Sequence, residues 1–337
     1  MNIIEVTNLQ KHFSVRKHFS GRFGAVRGFF SREFKQVRAV DGISFGVESG
    51  ELVGYLGPNG AGKSTTIKML TGLLVPSGGE VVVNGRIPHK ERQEYVARIG
   101  AVFGQRTTLW WDLPVIESLE LLRHIYKVPP DLFSKNLAEF TDMLEMEPFL
   151  HTPVRSLSLG QRMRADIAAA LLHNPDLLFL DEPTIGLDVV AKERIRQFIQ
   201  HINAERGTTV LLTTHDLADV QRLCQRVMII DHGKLLYDGR LQSLQDQFGG
   251  KRELVVDFAE DYQTVAVAGA TVVEYQDSRA TYQFEREEIS ASALIGRISN
   301  QYRVQDLAVR EPDIEATIRR IYEERLLETA VSVQVEE

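Results

Sequence analysis

Gly57-Pro58-Asn59-Gly60-Ala61-Gly62-Lys63-Ser64-Thr65 fits the pattern G-x-x-x-x-G-K-[ST]. It lies between an apolar strand-like run, Glu51 to Leu56, and a helix-like run, Thr65 to Leu74. That strand and helix context makes the stretch a phosphate cradle. Its glycines let the backbone turn tightly, so that successive N–H groups and the start of the next helix face one anion. Such a loop favours a polyphosphate. Lys63 reaches the β- and γ-phosphates as a point charge, and the Ser64 hydroxyl can coordinate the Mg²⁺ that accompanies them.

A chain of 337 residues, 43% hydrophobic and 25% charged, can bury a full core, and one large plus one small domain is its natural partition. No apolar run approaches the roughly 18 residues that span a bilayer. The N-terminus Met1-Asn2-Ile3-Ile4-Glu5-Val6 lacks the basic and apolar segments of a signal peptide, so a soluble intracellular protein is expected. The single cysteine, Cys224, excludes an internal disulfide and, in the helix-like run Leu217 to Cys224, reads as a small packing residue. The net charge of −7 weighs against nucleic acid as the main partner.

Leu177-Leu178-Phe179-Leu180-Asp181-Glu182 supplies a carboxylate pair. Four apolar residues ending in two acids read as a buried parallel strand whose carboxyl edge delivers charge where open α/β sheets place their ligands. Asp181 is expected to hold Mg²⁺, directly or through water. Glu182 is expected to act as a general base on water for in-line attack at the γ-phosphate. Taken alone, the run also reads as a strand ending in a polar turn.

Further motifs stand in the order found in one family. Leu157-Ser158-Leu159-Gly160-Gln161 resembles the LSGGQ signature of the ATP-binding cassette (ABC) transporter ATPases and is followed by a helix-like Arg162 to His173. Gln105, after the strand-like Ile99 to Phe103, is similar to the Q-loop glutamine. Gly186-Leu187-Asp188 resembles the D-loop, and Thr214-His215-Asp216 the switch-histidine segment. The resemblance covers residues 1 to about 240 and implies an α/β P-loop NTPase cassette, a mixed sheet core with a helical subdomain at about 106–172.

The resemblance also implies roles. Ser158, Gly160 and Gln161, with the helix start, would meet the γ-phosphate of a nucleotide held by the opposite subunit. Gln105 would sense Mg²⁺ and the attacking water, His215 would contact the γ-phosphate, and Asp188 would cross to the partner. ATP and Mg²⁺ are thus the implied ligands. Gly57, Pro58, Asn59, Gly60, Ala61, Gly62, Lys63, Ser64 and Thr65 form the cradle, while Ser64, Gln105 and Asp181 surround the metal.

Two residues depart from the family pattern. Leu159 stands where the signature has glycine, and slower turnover with retained binding is expected. The aromatic that stacks on adenine is usually tyrosine; here Phe13, in Lys11-His12-Phe13, is the candidate, with a core position at a strand end as the other reading.

Residues 14–38 form an insertion rich in arginine and phenylalanine. Phe19, Phe23, Val26, Phe30 and Phe34 recur at helical spacing among Arg16, Lys17, Arg22, Arg27, Arg32, Lys35 and Arg38. This reads as a basic amphipathic element for a membrane surface or partner, or, given Gly21, Gly24 and Gly28, as a solvated loop. Residues 1–248 are expected to form the nucleotide-binding domain and 249–337 a small α+β domain for accessory or dimerisation purposes. The latter has alternating Leu254, Val256, Phe258 and Tyr282, Phe284, helical Leu294 to Tyr302, a strand at Leu307 and Val309, and a final helix through Ile314, Ile318 and Ile321. It resembles the appendage of two-component drug-type exporters.

The resemblance therefore implies a transport-coupled ATP hydrolase that acts as a homodimer on a separate membrane permease. Peripheral contact with the cytoplasmic membrane face is expected, and nucleic acid is not. Export of a drug-like, lipid or other small substrate is the expected direction, with an importer subunit or a non-transport ABC ATPase as the other readings. Trp110 and Trp111 lie where the family receives the permease, as interface anchors or as core residues.

Overall fold

The computed structural model of the chain describes residues 1–16, 34–104, 106–214, 216–248, 251–285, 288–310 and 314–323. Two compact units divide it, Met1–Gly239 and Arg240–Glu337. The first unit begins with β1 (Asn2–Arg16), β2 (Phe34–Glu48), β3 (Leu52–Leu56), α1 (Lys63–Leu70), β4 (Gly78–Val83), α2 (Arg92–Val96) and β5 (Ile99–Phe103). Three helices follow, α3 (Val115–Ile125), α4 (Pro130–Met143) and α5 (Leu159–Leu171). It closes with β6 (Leu177–Asp181), α6 (Val189–Arg206), β7 (Thr209–Thr213), α7 (Leu217–Leu223), β8 (Arg226–Asp231) and β9 (Lys234–Arg240).

Six strands make one sheet in the order β5-β6-β7-β3-β8-β9, parallel from β5 through β8. Its central strands are apolar on both faces, as a covered parallel sheet requires: Leu177 to Leu180 and Val210 to Leu212 are all buried. A second, antiparallel sheet, β2-β1-β4, shares one core with the first through Ile4, Leu9, Val40, Tyr55, Phe179 and Met228. Parallel strands end at one edge. The cradle after β3, Asp181 at the end of β6 and Thr213 at the end of β7 therefore gather there without any further device. This mixed sheet, with the helices α3 to α5 inserted between β5 and β6, bears out the expected cassette fold.

The signature helix α5 sits close to the sheet. Its Ala165 and Ala168 to Ala170 are buried, and small side chains let its backbone approach β5 until a side chain on Gly100 would begin 2.4 Å from the Ala170 carbonyl oxygen. Cys224 is buried, and burial pushes its thiol pKa up, in keeping with a packing residue.

Several element bounds differ from the sequence reading. α1 begins at Lys63, not Thr65, because Gly62 takes a left-handed φ of 112° and lets the helix start directly after it. Residues 14–16 and 34–38, read as part of the insertion, belong to β1 and β2, where Ser14 pairs with Gln36 and Val15 with Lys35. The reason is that each strand supplies the other's backbone partners well beyond the sheet body. Phe34, counted in the helical stripe, is thus a strand residue; positions 17–33, with the rest of that stripe, lie outside the described residues.

The second unit contains α8 (Leu241–Phe248), β10 (Arg252–Phe258), β11 (Thr271–Gln276), β12 (Arg279–Phe284), α9 (Ala291–Gln301), β13 (Val304–Arg310) and α10 (Ile314–Glu323). Its antiparallel sheet runs β11-β12-β10-β13, and Leu254, Val256, Phe258, Tyr282 and Phe284 pack with Leu294 and Ile298 of α9. The unit begins at Arg240 because α8 packs with α10, burying Leu241, Leu244 and Phe248 on one helix and Ile314, Ile318 and Ile321 on the other.

Gly100→Ala is expected to force α5 off β5 and to destabilise the first unit by about 1–3 kcal/mol, the usual cost of overpacking. Urea denaturation followed by circular dichroism measures this; an unchanged midpoint would contradict the close approach.

Candidate functional site

The cradle is wedged between two strand ends. A side chain on Gly57 would begin 2.3 Å from the Ile230 carbonyl oxygen, and one on Gly62 2.4 Å from that of Ala39. Only glycine fits either place. At Gly60 there is room, but its φ of 84° still favours glycine. Lys63 is buried, and its ammonium donates to the carbonyls of Gly57 at 2.6 Å and Pro58 at 3.1 Å. Burial lowers its pKa, while Glu182 and Asp181 pull the other way.

Asp181 ties the strand ends together. Its Oδ1 accepts from the Ser64 hydroxyl at 3.3 Å and from the buried Thr213 hydroxyl, so one carboxylate oxygen links α1, β6 and β7. Glu182 follows with a left-handed φ of 55°, unusual for a residue with a side chain, and its N–H donates to the Thr213 carbonyl at 2.9 Å. The Gly104 N–H donates to the Asp181 carbonyl at 2.8 Å, which holds the end of β5 beside the pair. Gln105 and His215 lie outside the described residues.

These groups line a cleft of about 870 Å³ whose walls include Gly57, Asn59, Ser64, Arg106, Asp181 and Glu182. Ser64 and Asp181 offer hard oxygen donors within hydrogen-bond distance of each other, the donor set Mg²⁺ takes when phosphates and water complete its shell. Among the described residues no group of three His, Cys, Asp or Glu could cage a metal, so protein alone does not complete such a shell. The residues present therefore fit a polyphosphate with Mg²⁺.

Ser158, Gly160, Gln161 and Asp188 are not among the lining residues of this cleft. Ser158 caps α5: its Oγ accepts from the Gln161 N–H at 3.2 Å, and the Gln161 Oε1 accepts from the Ser158 N–H at 2.9 Å. This reciprocal cap leaves the Ser158 hydroxyl proton for another acceptor. Leu159 lies against the D-loop, its Cδ2 3.1 Å from where a side chain on Gly186 would begin. Asp188 caps α6 by accepting from the Ala191 N–H at 2.9 Å, which lowers its pKa.

Phe13 is 38% exposed, so it is not a core residue. The Lys11 ammonium stands 5.3 Å from its ring centroid. Its strand partner is Val37, two residues before the Ala39 carbonyl that abuts Gly62. Trp110 and Trp111 are also exposed, at 39% and 50%, and the Arg162 guanidinium lies over the Trp111 ring.

Two buried carboxylates escaped the sequence reading. Asp166, inside α5, accepts from the Thr107 hydroxyl at 2.8 Å, the Thr108 N–H at 2.8 Å and the Thr108 hydroxyl at 3.1 Å. It fastens the segment after Gln105 to the signature helix, and burial raises its pKa against the pull of these bonds. Asp219, wholly buried, pairs with Arg196 at 2.5 Å and accepts from the hydroxyls of Thr184 and Thr214. It joins the turn after Glu182 to the segment before His215. Each lies in a helix that carries other polar residues, Arg164 near Asp166 and Arg222 near Asp219, so the sequence does not mark it as buried.

A family model described as ABC transporter matches residues 40–185. The chain is 32% identical over 284 residues to the linearmycin resistance ATP-binding protein LnrL of Bacillus subtilis (strain 168), covering 82% of this chain and 91% of the relative. It is 33% identical over 231 residues to the methionine import ATP-binding protein MetN 2 of Enterococcus faecalis (strain ATCC 700802 / V583), covering 67% and 64%. Among solved structures, the dimeric post-hydrolysis state of the ATP-binding cassette MJ0796 bound to ADP and Pi superposes with a TM-score of 0.59 at 27% identity, covering 71% of this chain and 98% of that one.

Asp166→Ala leaves three donors without their acceptor and is expected to cost about 1–3 kcal/mol. Asp166→Asn keeps an acceptor oxygen and should cost less. Urea midpoints of the two variants test this order, and equal, unshifted midpoints would contradict the bonds seen here.

Proposed function

The chain belongs to the ABC transporter family of ATP-binding proteins, and from that premise we propose that it is the nucleotide-binding subunit of an exporter with a separate membrane permease. It is an ATP hydrolase by family. The observation that carries the mechanism is Glu182, held at the end of β6 beside the Asp181–Ser64 pair and in the same cleft as the cradle.

On ATP binding, the cradle N–H groups and the Lys63 ammonium take the β- and γ-phosphates, and Lys63 exchanges its Gly57 and Pro58 carbonyl partners for phosphate oxygens. Ser64, Asp181 and Gln105 would hold Mg²⁺, which would supply positive charge against that of the phosphates. Glu182 accepts a proton from water as the water oxygen bonds to the γ-phosphorus. The bond from that phosphorus to the β–γ bridging oxygen breaks, and ADP and phosphate leave. Phe13 offers an exposed aromatic face for adenine.

Ser158, Gly160, Gln161 and Asp188 are assigned to the nucleotide of a second copy, as the family resemblance implies. A homodimer closing on two ATPs follows. His215 is assigned to the γ-phosphate as the resemblance implies. The exposed Trp110 and Trp111, next to the segment that Asp166 fastens to α5, suit the permease contact. No described helix is long and apolar enough to cross a membrane, so the proposed place at the cytoplasmic membrane face is reached through that permease.

Export is favoured by the extent of the match. The alignment with the linearmycin resistance protein, at 284 residues, is longer than the first unit and so must enter the second; that with the methionine import protein spans 231. A drug-like, lipid or other small cargo is the substrate class this supports.

Glu182→Gln is expected to lower hydrolysis at least a hundredfold while ATP still binds, the loss typical of a removed general base. Lys63→Ala should instead weaken ATP binding. Steady-state phosphate release and equilibrium nucleotide binding separate the two, and near-parental turnover by the Gln variant would remove Glu182 from its role.

Mixing Lys63→Ala chains with Ser158→Arg chains should restore activity that neither has alone, since each mixed dimer regains one intact composite site. If the mixture stays as inactive as its components while mixed dimers are detected, the shared-site assignment fails.

A further inference from the structure

Each edge of the second unit's sheet carries one register irregularity, at a different place along its strand. β11 carries a register irregularity between Val272 and Glu274, which interrupts a flat edge. β13 has its irregularity at its start, between Val304 and Asp306, and pairs with β10 without interruption from Asp306 to Arg310; all residues from Gln305 to Arg310 are exposed. An uninterrupted exposed edge is a template for another strand.

The geometry of that edge specifies the strand it would take. The Leu307 N–H donates to the Asp306 Oδ1 of its own chain at 2.8 Å, so this amide points away from β10. With a period of two over the regular stretch, Leu307 and Val309 present the outward row of N–H and C=O groups, while Asp306, Ala308 and Arg310 bond inward to β10. Around Ala308 the sequence is nearly a mirror of itself: Asp306-Leu307-Ala308-Val309-Arg310, with an apolar residue on either side and opposite charges at the ends.

We propose that β13 pairs antiparallel with β13 of a second copy, independently of nucleotide, about a two-fold axis between the two Ala308 residues. Leu307 then stands opposite Val309 of the second copy, and these two exchange their outward N–H and C=O groups. Their side chains, 37% and 40% exposed in one chain, cover one another. On the opposite face Asp306 meets Arg310 of the second copy, and symmetry supplies the pair twice. Asp306 lies opposite Asp257 in register, and Asp257 already holds Arg279, so an incoming guanidinium offsets a like-charge neighbour. Sliding the axis to Leu307 or Val309 loses both ion pairs, and a one-residue slip sets outward groups against inward ones.

The two Ala308 residues form a non-hydrogen-bonded pair, with Cα atoms about 4.5 Å apart, within reach of a disulfide. Full-length Ala308→Cys, whose one other thiol is the buried Cys224, is oxidised with copper phenanthroline without nucleotide and run on a non-reducing gel. A linked dimer is expected. In that background Asp306→Arg or Arg310→Asp alone should reduce linkage at least tenfold, and the two together should restore it. A fold lesion would not be rescued in this way. Absence of linkage, linkage indifferent to the single reversals, or loss without rescue each overturns the proposal. Linkage that appears only after deletion of residues 324–337 also overturns it, because the edge then belongs to the chain's own terminal segment. The ATP-closed dimer is not at stake in this readout, since no nucleotide is present.

Discussion

One carboxylate oxygen organises the site. The Asp181 Oδ1 accepts from Ser64 at the start of α1 and from Thr213 at the end of β7, while Asp181 itself ends β6. The three elements to which the proposed mechanism gives the γ-phosphate are thereby fixed to one another. The arrangement rests on the parallel sheet, which brings the ends of β3, β6 and β7 to a common edge. It rests equally on Gly57 and Gly62, where the Ile230 and Ala39 carbonyls leave no space for a side chain.

The segments around this edge have their own ties. Asp166 binds the segment after Gln105 to the signature helix through three hydrogen bonds, and Arg162 of that helix covers Trp111. A displacement of the exposed tryptophans would therefore be carried into Ser158 at the helix start. Asp219 does the corresponding work on the other side, holding Thr184 and Thr214 around a buried pair with Arg196. A buried ion pair of this kind contributes little net stability but fixes geometry, since either partner alone would be a desolvated charge. Leu159 against Gly186 adds an apolar contact between signature and D-loop, which the family's usual glycine could not make.

The legible part of the chain was the part whose chemistry demands fixed residues at fixed spacing. A phosphate loop needs glycines and a lysine in sequence, and a covered parallel strand needs an unbroken apolar run, so Gly57 to Thr65 and Leu177 to Glu182 could be read directly. Alternation revealed β10 and β12, but β11, with Val273 exposed and an irregular register, left too weak a pattern. Helix α8 went unread because its three buried residues form a short stripe that is meaningful only against α10. Asp166 and Asp219 were invisible for a related reason: a buried carboxylate is defined by its partners, and Thr107, Thr184 and Arg196 are distant in sequence. The hairpin of β1 and β2 ran past its expected end because pairing, not side-chain pattern, sustains it.

The central claim is that hydrolysis needs the cleft of one chain and the signature of another. Turnover per chain, measured alongside light scattering in the presence of ATP over a dilution series, tests it most directly. The account predicts that turnover per chain falls toward zero as the mass falls to that of a single chain. Constant turnover per chain in the range where scattering reports only monomer would contradict it.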